Sequence, residues 1–267
     1  MLADIMLGQY FHGNSVIHRL DPRTKIVSTI LFISSIFLAE NYQAYGVITV
    51  FTAMVIGLAG IPTIMILRSL KPLWFIIILT LLIHIFTTPG TVIYMLGPFT
   101  VTQEGLRQGL LMTLRLLFLI IISSLLTFTT SPVALTDGIE RLLNPFKKIG
   151  FPAHELAMMM TIALRFIPTL LEETDRIMKA QMARGADFTS GNILRRARNM
   201  IPLLIPLFIS AFRRADELAT AMEARCYRGG DHRTRMKQLK IVGKDWAAAG
   251  ILLLLIGLLI LVKISVK

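Results

Sequence analysis

The sequence predicts an all-α membrane protein, and three observations carry that prediction. Of 267 residues, 54% are apolar, and the mean hydropathy of +0.67 is too high for an ordinary soluble domain. Five stretches approach the roughly 20 apolar residues that cross a bilayer: 24–39, 43–61, 72–88, 105–128 and 246–262. The formal charge is +12, and its basic residues are placed very unevenly. The expected architecture is about five transmembrane helices plus a cytoplasmic domain of about three helices inserted before the last span. Residues 1–129 hold the N-terminal segment and four spans, 130–245 the cytoplasmic helices, and 246–267 the last span.

The first twenty residues lack the apolar core and cleavage pattern of a signal peptide and read as a polar N-terminal segment. Asp21-Pro22 opens the first span, with Asp as N-cap and Pro at the first helical position. His18, Arg19, Asp21 and Arg23 form a polar cluster with no nucleophile–base arrangement. It reads as a helix start and as an anchor against the cytoplasmic helices. Trp74 and Trp246 stand at the start of spans, where an aromatic ring suits the interface. His84 and Arg115 fall inside the third and fourth spans, where an ionisable group is a functional candidate by default. Interior packing is favoured for both, bonded to a carbonyl or to a hydroxyl such as Ser123 or Thr87. No acid sits in the middle of a span, which argues against a proton relay.

Residues 130–245 carry 19 basic and 12 acidic residues, whereas the segments at 40–43 and 89–104 contain no Lys or Arg. Positive charge marks the cytoplasmic side, so the N-terminus and 130–245 are expected inside and the C-terminus outside. Topology thus accounts for the basic excess, and no nucleic-acid-binding module accompanies it. The apolar runs "LAMMMTIAL" (156–164) and "MIPLLIPLFISAF" (200–212) are short and flanked by charge. They predict helices lying along, or dipping into, the inner leaflet. The first runs from Ser131-Pro132 to about Asn144-Pro145. The second runs from Pro152 to Arg184 with a kink at Pro168, and the third from Asn192 to Arg225, bent near Pro202 and Pro206. Gly185 and Gly229-Gly230 are expected terminators.

The last two helices end alike, in "AQMARG" (180–185) and "AMEARC" (221–226), and each starts apolar near a proline before turning charged. The helix dipole favours arginine at a C-terminus. Small neighbours leave its planar fork uncovered for a carboxylate. Two such ends can plug two acidic sockets on soluble partners. A stop signal explains one such end on its own; its recurrence on the next helix weighs toward function. The lone Cys226 excludes an intramolecular disulfide and a cysteine metal cluster. No phosphate loop, H-E-x-x-H, G-x-S-x-G or Cys/His ligand spacing occurs, so any ATP used is hydrolysed by another chain.

"YFHGNSVIHRLDPRTK" (10–25), "LTFTTSPVALTDGIERLLNPFKKIGFPAHELAMMMTIALRFIPTL" (126–170) and the two arginine ends resemble the transmembrane T component of energy-coupling factor transporters. The resemblance covers most of the chain and is weakest over 40–125. It implies a multi-pass, non-catalytic scaffold in a prokaryotic plasma membrane, with no cofactor of its own. ATP and Mg would be bound by two partner ABC ATPases. Ala183, Arg184 and Gly185, with Ala224, Arg225 and Cys226, would couple to those ATPases. Cys226 stands where the family has Gly or another small residue. A membrane S component would bind the vitamin or micronutrient. Met158, Met159 and Met160, with Arg165 and Pro168, are the expected S-component surface; core filling is the competing reading for these residues and for Met178 and Met182. Two alternatives stand beside this reading: an ABC permease with its own pathway, and a membrane enzyme whose basic helices gather anionic headgroups.

Overall fold

The computed structural model describes residues 10–96, 99–188, 192–227, 229 and 239–265. Gly230, expected as part of a helix stop, lies outside the described residues. The described chain is almost entirely helical. It divides into two compact units, one of residues 8–142 and 238–267 and one centred on 143–237.

The first unit opens with α1 (Pro22–Leu38), α2 (Tyr42–Ala59), α3 (Thr63–Leu70) and α4 (Trp74–Thr87). The expected third span therefore begins earlier than residue 72. A 3-10 turn at Lys71–Leu73 joins α3 to α4, because Pro72 has no N–H to continue an α-helix. The stretch expected as loop at 89–104 contains an antiparallel hairpin, β1 (Val92–Leu96) and β2 (Phe99–Thr102). Next come α5 (Gln103–Thr129) and α6 (Pro132–Leu143), and α10 (Gly243–Ser265) completes the unit. Thr102 caps α5 by accepting a hydrogen bond from the Gly105 amide at 3.1 Å.

Five stretches of the described residues are long and apolar enough to cross a membrane: α2, α3–α4, α5, α10 and, in the second unit, the helix Ala153–Ala183. At 17 residues, α1 stands at the lower end of the spanning range. The core of the first unit joins α1, α2, α5 and α10 through Phe32, Ile36, Ile48, Phe118, Leu125 and Leu255. Phe32 stacks on Phe51 and Tyr45 on Phe118. Helices α4 and α5 approach backbone to backbone. A Cβ on Gly105 would lie 2.8 Å from the His84 carbonyl oxygen, so only glycine allows that contact.

The two ionisable groups inside the spans pack as favoured, with different partners for Arg115. Its guanidinium donates to the Tyr45 hydroxyl (3.3 Å) and to the Ala39 carbonyl (3.2 Å), beside the Phe37 ring. It thereby closes the end of α1 onto α5. His84 Nδ1 lies 2.9 Å from the Thr80 carbonyl oxygen one turn back.

The N-terminal segment is the clasp of this unit. Asp21 caps α1 by accepting from the Arg23 amide (2.9 Å) and pairs with the Arg23 guanidinium (3.0 Å). Arg23 also donates to the Leu239 carbonyl at 3.2 Å. The Asp21 amide donates to Asp245 Oδ1 (2.8 Å), and Asp245 Oδ2 accepts from the Val242 amide (2.8 Å). Lys25 Nζ reaches the His18 and Thr129 carbonyls at 3.0 and 2.8 Å, and the Phe11 amide donates to the Phe128 carbonyl at 2.9 Å. The last carbonyls of α5 are thus satisfied from the N-terminal segment, as helix ends require. Asp21, Lys25 and Asp245 are all buried. Of the expected cytoplasmic helices, α6 packs on this anchor, with Gly138 tight against Pro22 and Ile26. The compact unit therefore extends to residue 142 on one side and resumes at 238 on the other.

Burial opposes ionisation of Asp21, but the Arg23 side chain and amide, with the Arg23 and Arg141 charges, outweigh it. The carboxyl is held below its ordinary 3.8. Its contribution to stability is therefore complete above about pH 4 and is lost as pH falls through the lowered folded value. Replacing Asp245 by Ala leaves the buried Asp21 amide and the part-buried Val242 amide without acceptors and removes a negative charge that favours the protonated Lys25. Thermal unfolding in detergent should show a loss of about 3 kcal/mol for Asp245→Ala and about 1 kcal/mol for Asp245→Asn, which keeps one acceptor.

Candidate functional site

The second unit contains a 3-10 turn at Asn144–Ile149, α7 (Ala153–Ala183), α8 (Ile193–Asn199) and α9 (Ile201–Ala224). The expected third cytoplasmic helix is broken at Met200. Pro202 takes a place in the first turn of α9, where its missing N–H costs nothing. Pro168 and Pro206 remain inside α7 and α9.

Helices α7 and α9 run antiparallel. Glu173 pairs with Arg214 at 2.6 Å, and nearer the other end Gln181 Nε2 donates to the Pro202 carbonyl at 3.2 Å. Going back along α7 means going forward along α9, so the C-termini of the two helices point to opposite ends. The 24 residues of α9 extend over about 36 Å. Arg184 and Arg225 are therefore kept apart, on the order of the length of that helix.

The two ends have the same local geometry. Arg184 is the C-cap of α7 and Arg225 the C-cap of α9. After Arg184, the Gly185 amide bonds to the Met182 carbonyl (2.9 Å) and the Ala186 amide to the Gln181 carbonyl (3.0 Å). After Arg225, the Cys226 amide bonds to the Glu223 carbonyl (2.8 Å) and the Tyr227 amide to the Met222 carbonyl (3.0 Å). These are two Schellman caps in the same register. Such a cap needs a left-handed residue after the C-cap, and Gly185 supplies φ +88° and Cys226 φ +56°. Cys226 is the one non-glycine residue with positive φ among the described residues. Cys226, not Gly229, ends α9; Gly229 lies three residues beyond it.

Both arginines are exposed, as are Ala183, Ala224 and Cys226. Neither guanidinium has a partner among the described residues, so both charges are presented outward. The Met triplet is split: Met159 and Met160 are exposed and Met158 is half-buried. Arg165 and Pro168, further along α7, are exposed. On α9, Ile201, Leu204, Ile205, Phe208, Ile209 and Phe212 are all exposed, forming one continuous helical stripe. Among the described residues no group of three or more His, Cys, Asp or Glu is arranged to hold a metal ion. Sequence reasoning passed over Asp245 and Lys25, the buried partners of the clasp. An acid in the first turn of a membrane helix was the available signal for Asp245.

Five helical stretches long and apolar enough to cross a bilayer define a multi-pass membrane protein. The family described as cobalt transport protein (CbiQ) matches residues 13–236. A transmembrane EcfT protein of an energy-coupling factor transporter from Acidaminococcus fermentans is 62% identical over 260 residues, covering 97% of each chain. Those of Ruminiclostridium cellulolyticum and Bacillus subtilis are 55% and 50% identical, covering 98% of this chain and 98% and 100% of theirs. The chain belongs to this family, the transmembrane components of energy-coupling factor transporters.

The cap geometry makes opposite demands on its two left-handed residues. Gly185→Ala should destabilise the α7 end by about 1 kcal/mol, although a Cβ there meets nothing within 4 Å. Cys226→Gly should relieve a similar strain and stabilise the α9 end by about 1 kcal/mol. Hydrogen exchange of the amides at 185–186 and 226–227 measures both.

Proposed function

We propose that this chain is the energy-transducing scaffold of an energy-coupling factor importer, joining two ABC ATPases to a substrate-binding S component. The observation that carries the reading is the pair of identical caps that present free arginines at opposite ends of one antiparallel helix pair. A single motor protein would not need two equivalent tips set so far apart; two copies of similar sockets would. Each planar guanidinium suits a carboxylate bidentately. Ala183, Gly185, Ala224 and Cys226 are small enough to let a partner backbone approach. ATP and Mg belong to the partner ATPases, and this chain contributes no nucleotide-binding loop.

In this reading, closure of the ATPases draws the two tips nearer. A rigid antiparallel pair can follow only by changing the angle at which α7 crosses α9, with Glu173–Arg214 near the pivot. That crossing is the two-state element that nucleotide would bias. The S component would ride on the apolar faces of the arms, at Met158, Met159, Met160, Arg165 and Pro168 on α7 and on the exposed stripe of α9. Rotation of those faces would tilt it to release its vitamin or metal inward.

The orientation follows the charge count: N-terminus and arms in the cytoplasm of a prokaryotic cell. Although α7 is long and apolar enough to span, Glu172, Glu173, Asp175, Arg176 and Lys179 suit its second half to water. Its apolar first half is suited to lie along the inner leaflet.

Reversing both tips, Arg184→Glu with Arg225→Glu, should reduce ATP-driven uptake in vesicles to background. Each single reversal should weaken ATPase assembly by about 2 kcal/mol or more, roughly 30-fold. Full uptake by the double variant refutes the coupling role. Counting chains separates the alternatives: an ABC permease predicts two copies with no small membrane partner, and a lipid enzyme predicts turnover by the isolated chain. Replacing Met158, Met159 and Met160 together by Leu should weaken capture of S components, while leaving ATPase assembly unchanged. Undiminished capture of every S component removes that surface from the proposal.

A further inference from the structure

Within the helical body, α1, α2, α5 and α10 leave a groove of about 290 Å³ between them. Its floor is the buried trio Phe32, Leu125 and Leu252. Its rim includes the exposed Met54, Leu58 and Ile251, and Ala247 and Ala248 keep the α10 wall low. Among the lining residues the only charged side chains are Lys25 and Lys244. Both sit at the N-terminal starts of their helices, at the same end of the groove.

From that end the groove runs inward from Lys25 to Phe32 on α1 and from Lys244 to Leu252 on α10. At ~1.5 Å per residue this is a depth of about 12 Å, close to the ~15 Å half-thickness of the hydrocarbon. The groove is thus an apolar trough that starts at an interface and ends near the middle of the bilayer. The space holds about ten groups of roughly 30 Å³ each. A helix ~10 Å across displaces several times that volume over the same depth, so a flexible chain fits where a helix does not.

The two lysines are not equivalent. Lys25 is buried and spends two of its donors on the His18 and Thr129 carbonyls. Lys244 is exposed and has no partner among the described residues. Its neighbour Asp245 turns inward, with both carboxylate oxygens bonded to the Asp21 and Val242 amides. The groove mouth therefore offers one free cation above an apolar trough, which matches an anionic headgroup on an acyl chain.

We propose that this groove is a binding site for an anionic phospholipid, with one acyl chain in the trough and its phosphate at Lys244. The bound chain fills the space between α1 and α10 and seals the apolar side of the clasp against water. The inference depends on the membrane location of the helical body and not on the arginine tips.

The test uses the full-length chain, equilibrated in detergent with phosphatidylglycerol and phosphatidylcholine of matched chains, and native mass spectrometry to count retained lipid. Wild type should retain one phosphatidylglycerol with at least about fivefold preference over phosphatidylcholine, a difference of about 1 kcal/mol. Lys244→Ala should bring the preference near one. Ala248→Phe, which puts a ring into the trough, should remove the retained lipid; should it fail to fold, the Lys244 variant still decides. No preference in wild type, or an unchanged preference in Lys244→Ala, overturns the proposal. Displacement by glycerol phosphate does so too, because it shows a headgroup site without a chain. In native membranes, a photo-crosslinking residue at Met54 should give an adduct of lipid mass; a shift to a second polypeptide shows a protein occupant and sinks the idea.

Discussion

A helix that ends inside or beside hydrocarbon must find partners for its last backbone groups, because no water is there to take them. In this protein that requirement is met by the N-terminal segment. Lys25 and the Phe11 amide satisfy the last carbonyls of α5, and Asp21 caps α1 while its own amide is taken by Asp245 at the start of α10. One small polar cluster therefore fixes three helix ends drawn from distant parts of the sequence. The core between α1, α2, α5 and α10 can be almost wholly apolar because its polar obligations are discharged at this one edge. Buried charges of this sort add little net stability over an apolar replacement. They are demanding about geometry, however, and a slip of α10 by one residue would part Asp245 Oδ1 from the Asp21 amide.

Much of the fold was legible from local pattern. Apolar length located α2, α5 and α10 to within a few residues, and Asp21-Pro22 marked the start of α1. The arginine ends were legible because a helix cap is a short-range object: a small residue after Arg, on a helix of known phase, nearly specifies the geometry. What escaped is non-local. Nothing near Asp245 announces that its partner lies 224 positions earlier. The choice of Ala39 and Tyr45 as partners for Arg115 depends on how α1 and α2 meet α5. The hairpin at 92–102 was hidden because its strands, five and four residues long, are too short to stand out between two spans. The third span starts earlier than the apolar run from 72, because α3 and a 3-10 turn at Lys71–Leu73 lead into it.

The repeated cap shows how an internal similarity too weak to align can still be a strong physical statement. The sequence identity between the two ends is confined to a few residues, yet the two bonds made after the C-cap arginine recur in the same register at both. The left-handed position is the informative one. Glycine accepts it freely, whereas a cysteine there carries a cost on the order of 1 kcal/mol. The chain keeps that conformation at both ends, which places Arg184 and Arg225 in equivalent settings on their helices. Retaining the geometry where the residue does not favour it is a reason to regard the geometry as the selected feature.

The two units also differ in how completely their helices are buried. The helical body has a continuous core of aromatic and aliphatic side chains, whereas α9 buries only Leu203, and α7 only Ala153 and Ala157. An α9 stripe that includes Phe208, Ile209 and Phe212 is left uncovered. A contiguous apolar face of this size on an otherwise charged helix is a marker of contact with lipid or another chain. The same helices carry free cations at their tips. Apolar faces and charged tips answer to different chemistries, and a pair of stiff helices is the simplest object that can hold both at fixed separation. Rigidity along each arm, with polar links such as Glu173–Arg214 and Gln181–Pro202 between them, lets the angle at their crossing respond to forces applied at the tips while each arm keeps its shape.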